Sequence, residues 1–166
     1  MYNISKSMQR EIYTILYQLQ LDESSVIISK LQPYYIVKHL RCENTNKEIM
    51  KRAVLNGYIE IVQLMLEHGA DNINDAIEWS ANRGHIDIVK LLLEYGATNL
   101  NYAIYYAAIY GHIDIVQLML DLGATEINGA MCSAAYSGRI EIVRLLLDNG
   151  ADDYNSAMCG LSLIHI

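Results

Sequence analysis

The sequence of 166 residues contains no phenylalanine, one proline and one tryptophan, and three of its residues are cysteines. None of its apolar runs approaches the ~18 residues that a membrane-spanning helix requires. The first residues, Met1 to Lys6, lack the basic stretch followed by an apolar one that marks a secretory signal. We therefore expect a cytoplasmic protein.

Basic residues are also scarce. Twelve Lys and Arg stand against 19 Asp and Glu, and the formal net charge is −7. Binding to a nucleic acid backbone requires clustered Lys and Arg, and an anionic membrane surface attracts basic segments. Neither nucleic acid nor a membrane is therefore expected as a direct partner.

Apolar residues, by contrast, make up 52% of the chain and include 13 tyrosines. This content is ample for a core and excludes disorder as the default state. Tyrosine joins an apolar ring to a polar tip, so it suits half-exposed positions on binding surfaces.

Four segments of the chain align without a gap. They share the pattern Gly-x-Ile-(Asp/Glu)-Ile-Val-(Gln/Lys/Arg)-Leu-(Leu/Met)-Leu-(Asp/Glu)-x-Gly-Ala and begin 27 residues apart, at Gly57, Gly84, Gly111 and Gly138. Such a period predicts stacked units, each of which buries its apolar face only against its neighbours. Cys132 and Cys159 are also 27 residues apart. Helices of neighbouring units pack about 10 Å apart, too far for a disulfide, so both, with Cys42, are predicted to be reduced thiols.

One unit predicts two short helices. Asn74 or Asp75 is expected to cap the first helix, and Gly84 to end it. The second helix is expected from about Ile86 to Tyr95, with Gly96 as its stop. The apolar faces are predicted to comprise Ala76, Ile77, Ser80 and Ala81 in the first helix, and Ile88, Val89, Leu91, Leu92 and Leu93 in the second. Close packing of successive first helices is expected from small pairs at one position: Ala53-Val54, Ser80-Ala81, Ala107-Ala108 and Ala134-Ala135.

The segment from Gly84 to Ala97 resembles the second helix and turn of an ankyrin repeat, as does the Ala107-Ala108 pair followed by Gly111-His112. The resemblance covers roughly residues 45 to 160. It implies an all-α, ankyrin-like helix-turn-helix solenoid that binds another protein and has no catalytic activity, cofactor or small-molecule substrate. An ankyrin unit usually has about 33 residues, so the shorter unit here implies short turns, such as residues 71 to 75, in place of β-hairpin fingers. Compact units rich in Ile, Asn and Tyr are similar to the ankyrin repeat proteins of giant viruses that infect amoebae, which would place the protein in the host cytoplasm.

The repeats are assigned to residues 45–71, 72–98, 99–125 and 126–152. Residues 153–160 begin a fifth repeat, whose register fails after Gly160. Residues 161–166 resemble a translated adapter from a sequencing library, so we expect a truncated reading frame that ends in artefactual sequence. A larger enzyme, whose catalytic domain would lie beyond the truncation, is one alternative to a pure interaction module.

Residues 1–44 do not follow the repeat. Helical spacing of apolar residues predicts a helix from Ser7 to Gln20, and two shorter helices are expected before and after Pro33. We interpret this segment as an N-terminal helical cap that shields the first repeat. The alternative is an F-box-like segment, because Arg10 to Leu19 is faintly similar to that motif. The protein would then be a substrate adaptor of a ubiquitin ligase.

Positions that vary between repeats on the first helices are the candidate partner site, because constant positions build the scaffold. By resemblance, these positions face the concave side of a monomeric stack. The alternative is that the aromatic residues cover seams between helices. The candidate residues are Glu78, Trp79, Asn82, Arg83, Tyr105, Tyr106, Ile109, Tyr110 and Tyr136.

Two histidines, His85 and His112, also recur at the repeat spacing. A metal site is one interpretation, but zinc requires four converging ligands and the sequence supplies no others. We favour the alternative of turn histidines whose side chains bond locally. No nucleophile, base and orienting acid can be assembled either, so the sequence predicts no catalytic site.

Overall fold

The computed structural model describes residues 43–67 and 69–155. The predicted cap with its F-box-like segment, most of the fifth repeat and the adapter-like end lie outside these residues, as do Cys42 and Cys159. The chain divides into two compact units, one up to Asn72 and one from Ile73 onward.

The described residues form eight α-helices and no strand. The first unit contains α1 (Glu43–Leu55) and α2 (Ile59–Glu67). The second unit contains α3 (Ile73–Arg83), α4 (Ile86–Glu94), α5 (Leu100–Tyr110), α6 (Ile113–Asp121), α7 (Ile127–Tyr136) and α8 (Ile140–Asp148). The predicted all-α class is confirmed, and the second helix of each pair begins 27 residues after the one before it.

The first unit is a helix pair. Helices α1 and α2 pack against each other, and each contributes aliphatic side chains that are almost fully buried. The buried residues are Ile49, Met50, Ala53, Val54, Ile61, Val62, Met65 and Leu66.

In the second unit, each first helix packs on its own second helix and on the first helices of its neighbours, α3 on α5 and α5 on α7. The small pairs make this close approach possible, because Ala81, Ala107 and Ala134 have no exposed surface. Ser80 is equally buried, and its hydroxyl donates a hydrogen bond of 2.9 Å to the carbonyl of Ile77 in its own helix. The predicted role of the small pairs is therefore confirmed within the second unit.

The second helices bury the expected apolar stripe. In α4, Ile88, Val89 and Leu92 are buried, whereas Leu93 is half-buried. The helix ends at Glu94, one residue before the predicted Tyr95. Gly96 follows in the left-handed region, with φ of +93°, and its amide donates to the Leu93 carbonyl in the usual glycine stop.

The predicted capping role of Asn74 or Asp75 is wrong. Helix α3 begins at Ile73, so both residues lie inside its first turn. The Asn74 side chain instead reaches the next repeat, where its Oδ1 accepts hydrogen bonds from the backbone amides of Thr98 at 2.8 Å and Asn99 at 3.2 Å.

The same contact recurs one repeat later and again after that. Asn101 Oδ1 accepts from the amides of Thr125 and Glu126, and Asn128 Oδ1 accepts from those of Asp152 and Asp153. Each of these three turns thus has two of its backbone donors satisfied by the preceding first helix, which fixes the stacking register within the second unit.

Candidate binding surface of the first helices

Helix α5 has two contrasting sides. Its buried side consists of Ala103, Ile104, Ala107 and Ala108, all without exposed surface. The opposite side consists of Tyr102, Tyr105, Tyr106, Ile109 and Tyr110, at spacings of three and four residues that share one helical face. We call this side the tyrosine face. Since α5 contains no charged residue, the helix is largely apolar on both sides.

Three of the four tyrosines on this face are well exposed. The exposed fraction is 59% for Tyr102, 40% for Tyr105 and 48% for Tyr110, whereas Tyr106 is half-buried. The rings of Tyr105 and Tyr106 meet edge to face, with centroids 5.5 Å apart and planes at 79°. This geometry is a favoured one for aromatic pairs and leaves the outer ring to solvent.

Tyr102 is a residue that sequence reasoning missed. Its position differs between repeats, with Asp75 and Gly129 as its equivalents, and it lies three residues before Tyr105. The helical spacing of Tyr102 from the predicted residues was the signal that could have found it.

The equivalent side of α3 is more polar. Glu78, Trp79 and Asn82 are half-buried, and Arg83 is exposed. The Glu78 carboxylate accepts a hydrogen bond of 2.8 Å from Asn99 Nδ2, the side chain just before α5. Glu78 is therefore held at the N-terminal end of the neighbouring first helix.

The equivalent side of α7 carries small residues. Gly129, Cys132, Ser133 and Ser137 occupy positions where α5 has tyrosines, and one large residue, Tyr136, is 67% exposed. The predicted site residues thus lie on three first helices that pack in sequence, and none of them is buried.

The sequence led us to expect a local bond for the His112 side chain, and this prediction is wrong. Its Nε2 lies 3.1 Å from the carbonyl oxygen of Asn82 in the preceding repeat, and its ring packs against Gly84. Arg139 holds the equivalent position one repeat later, with its Nε donating to the Ile109 carbonyl at 3.2 Å. The residue after the turn glycine therefore joins successive repeats.

Metal binding finds no support in the residues that the structure describes. Nowhere among them do three His, Cys, Asp or Glu side chains come together as a metal site would require. Among the same residues, none of the helices has the length and hydrophobicity that crossing a bilayer demands.

Comparison with known families identifies the repeats. A family model described as ankyrin repeats (3 copies) matches residues 27–102 and, in a second overlapping match, residues 77–157. No curated protein matches the chain. Ankyrin repeats generally mediate protein–protein interaction and are typically non-catalytic. Because the two matches together span far more than half of the sequence, the chain belongs to the ankyrin repeat family.

Proposed function

We propose that residues 73–155 bind another protein through the solvent-facing side of α3, α5 and α7, which corresponds to the concave side of an ankyrin stack. One observation carries this proposal. Helix α5 buries one side completely and still presents four tyrosines and an isoleucine on the other. A surface helix ordinarily has a polar solvent side, so an apolar one indicates a surface that is covered on binding.

The residue types on this surface support the same function. Tyrosine, tryptophan and arginine are the residues most enriched in binding hot spots, and Tyr105, Trp79 and Arg83 are among those present. The helices that hold them are already packed in the free protein. Binding therefore costs little ordering entropy, since no backbone has to fold on contact.

The alternative, that these side chains only cover seams between helices, accounts for part of the surface. Trp79 and Tyr106 are half-buried, as covering residues would be. Tyr102, Tyr110 and Tyr136 expose between 48% and 67% of their surface, far more than a covering role requires. The exposed tyrosines therefore favour partner binding.

The test is a pull-down of the partner with the full chain, followed by affinity measurement on the double variant Tyr110→Ala/Tyr136→Ala, which removes two of the exposed rings. We expect affinity to fall by at least about tenfold, as for hot-spot residues. The matched control is Lys90→Ala/Gln117→Ala, which alters exposed residues on the second helices α4 and α6. Unchanged affinity in a folded double variant would remove this surface as the binding site.

A further inference from the structure

We propose that the segment of the partner that docks on the tyrosine face is basic and carries arginine. The inference rests on the proposed function and adds the chemistry of the ligand. Its basis is the distribution of charge around α5, where two acidic residues are bonded to the end of the helix that carries Tyr102.

The excess of acidic over basic residues lies entirely in the second unit. Residues 73–166 contain eleven Asp and Glu against four Lys and Arg, whereas residues 1–72 contain eight of each. Because charged partners are attracted before contact, the sign of this field favours a cationic ligand for the second unit.

Two acidic residues are bonded to the N-terminal end of α5, Glu78 through its carboxylate and Glu126 through its backbone amide. Glu78 on α3 accepts its hydrogen bond from Asn99, which immediately precedes α5. Glu126, exposed at the start of α7, has its backbone amide bound to Asn101 in the first turn of α5. Both acidic residues are thus tied to the end of α5 at which Tyr102 exposes 59% of its surface.

The basic residues of the second unit do not lie at this end of the tyrosine face. Lys90 and Arg144 lie at exposed positions on the second helices, and Arg139 is bonded to the Ile109 carbonyl at the other end of α5. Arg83 is the last residue of α3. None of these four, the complete set in residues 73–155, lies on the tyrosine face, so an incoming cation meets no resident competitor on α5.

Arginine fits this arrangement better than lysine. Its planar guanidinium stacks on aromatic rings while its N–H groups donate to carboxylates in a fork. Tyr102 and Tyr105 supply ring surface, and Glu78 and Glu126 supply the acceptors. A neutral apolar segment or an acidic one would leave both carboxylates without a countercharge.

The experiment titrates the full-length chain with three fluorescent peptides of equal length, in which glycine alternates with arginine, glutamine or glutamate. Anisotropy measures binding at two salt concentrations. We expect the arginine peptide to bind at least about tenfold more tightly than the glutamine peptide, with affinity that falls as salt rises, and the glutamate peptide to bind least.

Two sets of variants locate the effect. Glu78→Gln/Glu126→Gln is expected to weaken binding of the arginine peptide about tenfold, because it removes both carboxylates but keeps the acceptor for Asn99. Tyr102→Ala/Tyr105→Ala is expected to weaken it similarly, whereas Tyr102→Phe/Tyr105→Phe retains the rings and the affinity. The matched control is Glu94→Gln/Asp148→Asn, which removes the same charge from exposed ends of α4 and α8.

Tighter binding of the glutamate or glutamine peptide would overturn the inference, as would no binding of any peptide. An equal loss in the control variant would also overturn it, since general attraction to an acidic protein would then explain the result. These failures are distinct from failure of the proposed function, which is decided by the captured partner and the Tyr110→Ala/Tyr136→Ala variant.

Discussion

The two sides of the first helices follow different rules. On the buried side, α3, α5 and α7 carry nearly the same residues, with a small pair at the centre and an alanine and an aliphatic residue one turn earlier. On the solvent side, the equivalents of Tyr105 are Glu78 and Cys132, and those of Tyr102 are Asp75 and Gly129. One side is therefore constrained by stacking, while the other is free to differ from repeat to repeat.

The physical reason is the number of neighbours that each position must satisfy. Ala107 is enclosed in the packing of α5 against α6 and the adjoining first helices, so its volume is fixed on every side. Tyr110 contacts solvent over about half of its surface, so many residue types are compatible with the fold there. Within one helix, the residues of the recognition surface can therefore vary independently of the residues that build the stack.

The sharpest test of this difference makes the same substitution on both sides of α5. Ile104→Ala removes a fully buried side chain and is expected to lower the free energy of unfolding by about 2 to 5 kcal/mol, through lost burial and a cavity. Ile109→Ala removes a half-buried side chain of the tyrosine face and is expected to lower the free energy of unfolding by about 1 kcal/mol or less. Urea denaturation followed by circular dichroism measures both losses. Equal losses would show that the solvent side of α5 is as constrained as its buried side.

Glycine to alanine changes provide a second pair. Gly84 has φ of +77°, and an added Cβ would lie 2.5 Å from atoms of the His112 ring. We expect Gly84→Ala to destabilise the protein by about 1 to 3 kcal/mol.

Gly129, inside α7 on the solvent side, has nothing within 4 Å of an added Cβ. Gly129→Ala is therefore expected to stabilise the protein by about 0.5 to 1 kcal/mol, through higher helix propensity. Thermal denaturation should therefore show a lower melting temperature for Gly84→Ala and a higher one for Gly129→Ala. A destabilised Gly129→Ala variant would show that the solvent side of α7 is more constrained than we describe.

An effect of similar size is expected for the asparagines between repeats. Asn101→Ala leaves the amides of Thr125 and Glu126 without their side-chain acceptor. The expected loss of stability is only about 1 kcal/mol, because water can replace the acceptor at an exposed turn. Gln117→Ala, which loses a contact with Asp121 in its own helix, is the control and should change stability by less than about 0.5 kcal/mol. Amide hydrogen exchange at Thr125 and Glu126 should quicken in the Asn101 variant alone, and unchanged exchange would contradict the assigned contact.

The sequence predicted the helices of the second unit and most of the buried side closely. The second helix around Leu92 was expected from Ile86 to about Tyr95, and α4 runs from Ile86 to Glu94. Turn glycines and the small pairs were informative because their roles depend on local conformation and size, which a single residue type can reveal.

Contacts between repeats were predicted less well. Asn74 was expected to cap its own helix and instead serves the backbone of the next repeat, and His112 reaches back to Asn82 rather than bonding locally. The period shows which residues are equivalent, but not which neighbour each one meets. That depends on the offset between stacked helices, which no single repeat encodes. Tyr102, by contrast, was missed although its spacing of three residues from Tyr105 could have indicated it.

In this interpretation the tyrosine face serves recognition, while the opposite side of α5 serves stability. The most direct measurement compares partner affinity and the free energy of unfolding in Tyr105→Ala and Ile104→Ala. We predict that Tyr105→Ala weakens binding at least about tenfold and lowers stability by only about 1 kcal/mol, the loss of its partial burial and of its contact with Tyr106. Ile104→Ala should lower stability while its folded form retains affinity. Unchanged affinity in Tyr105→Ala, together with a large loss of stability, would contradict the account.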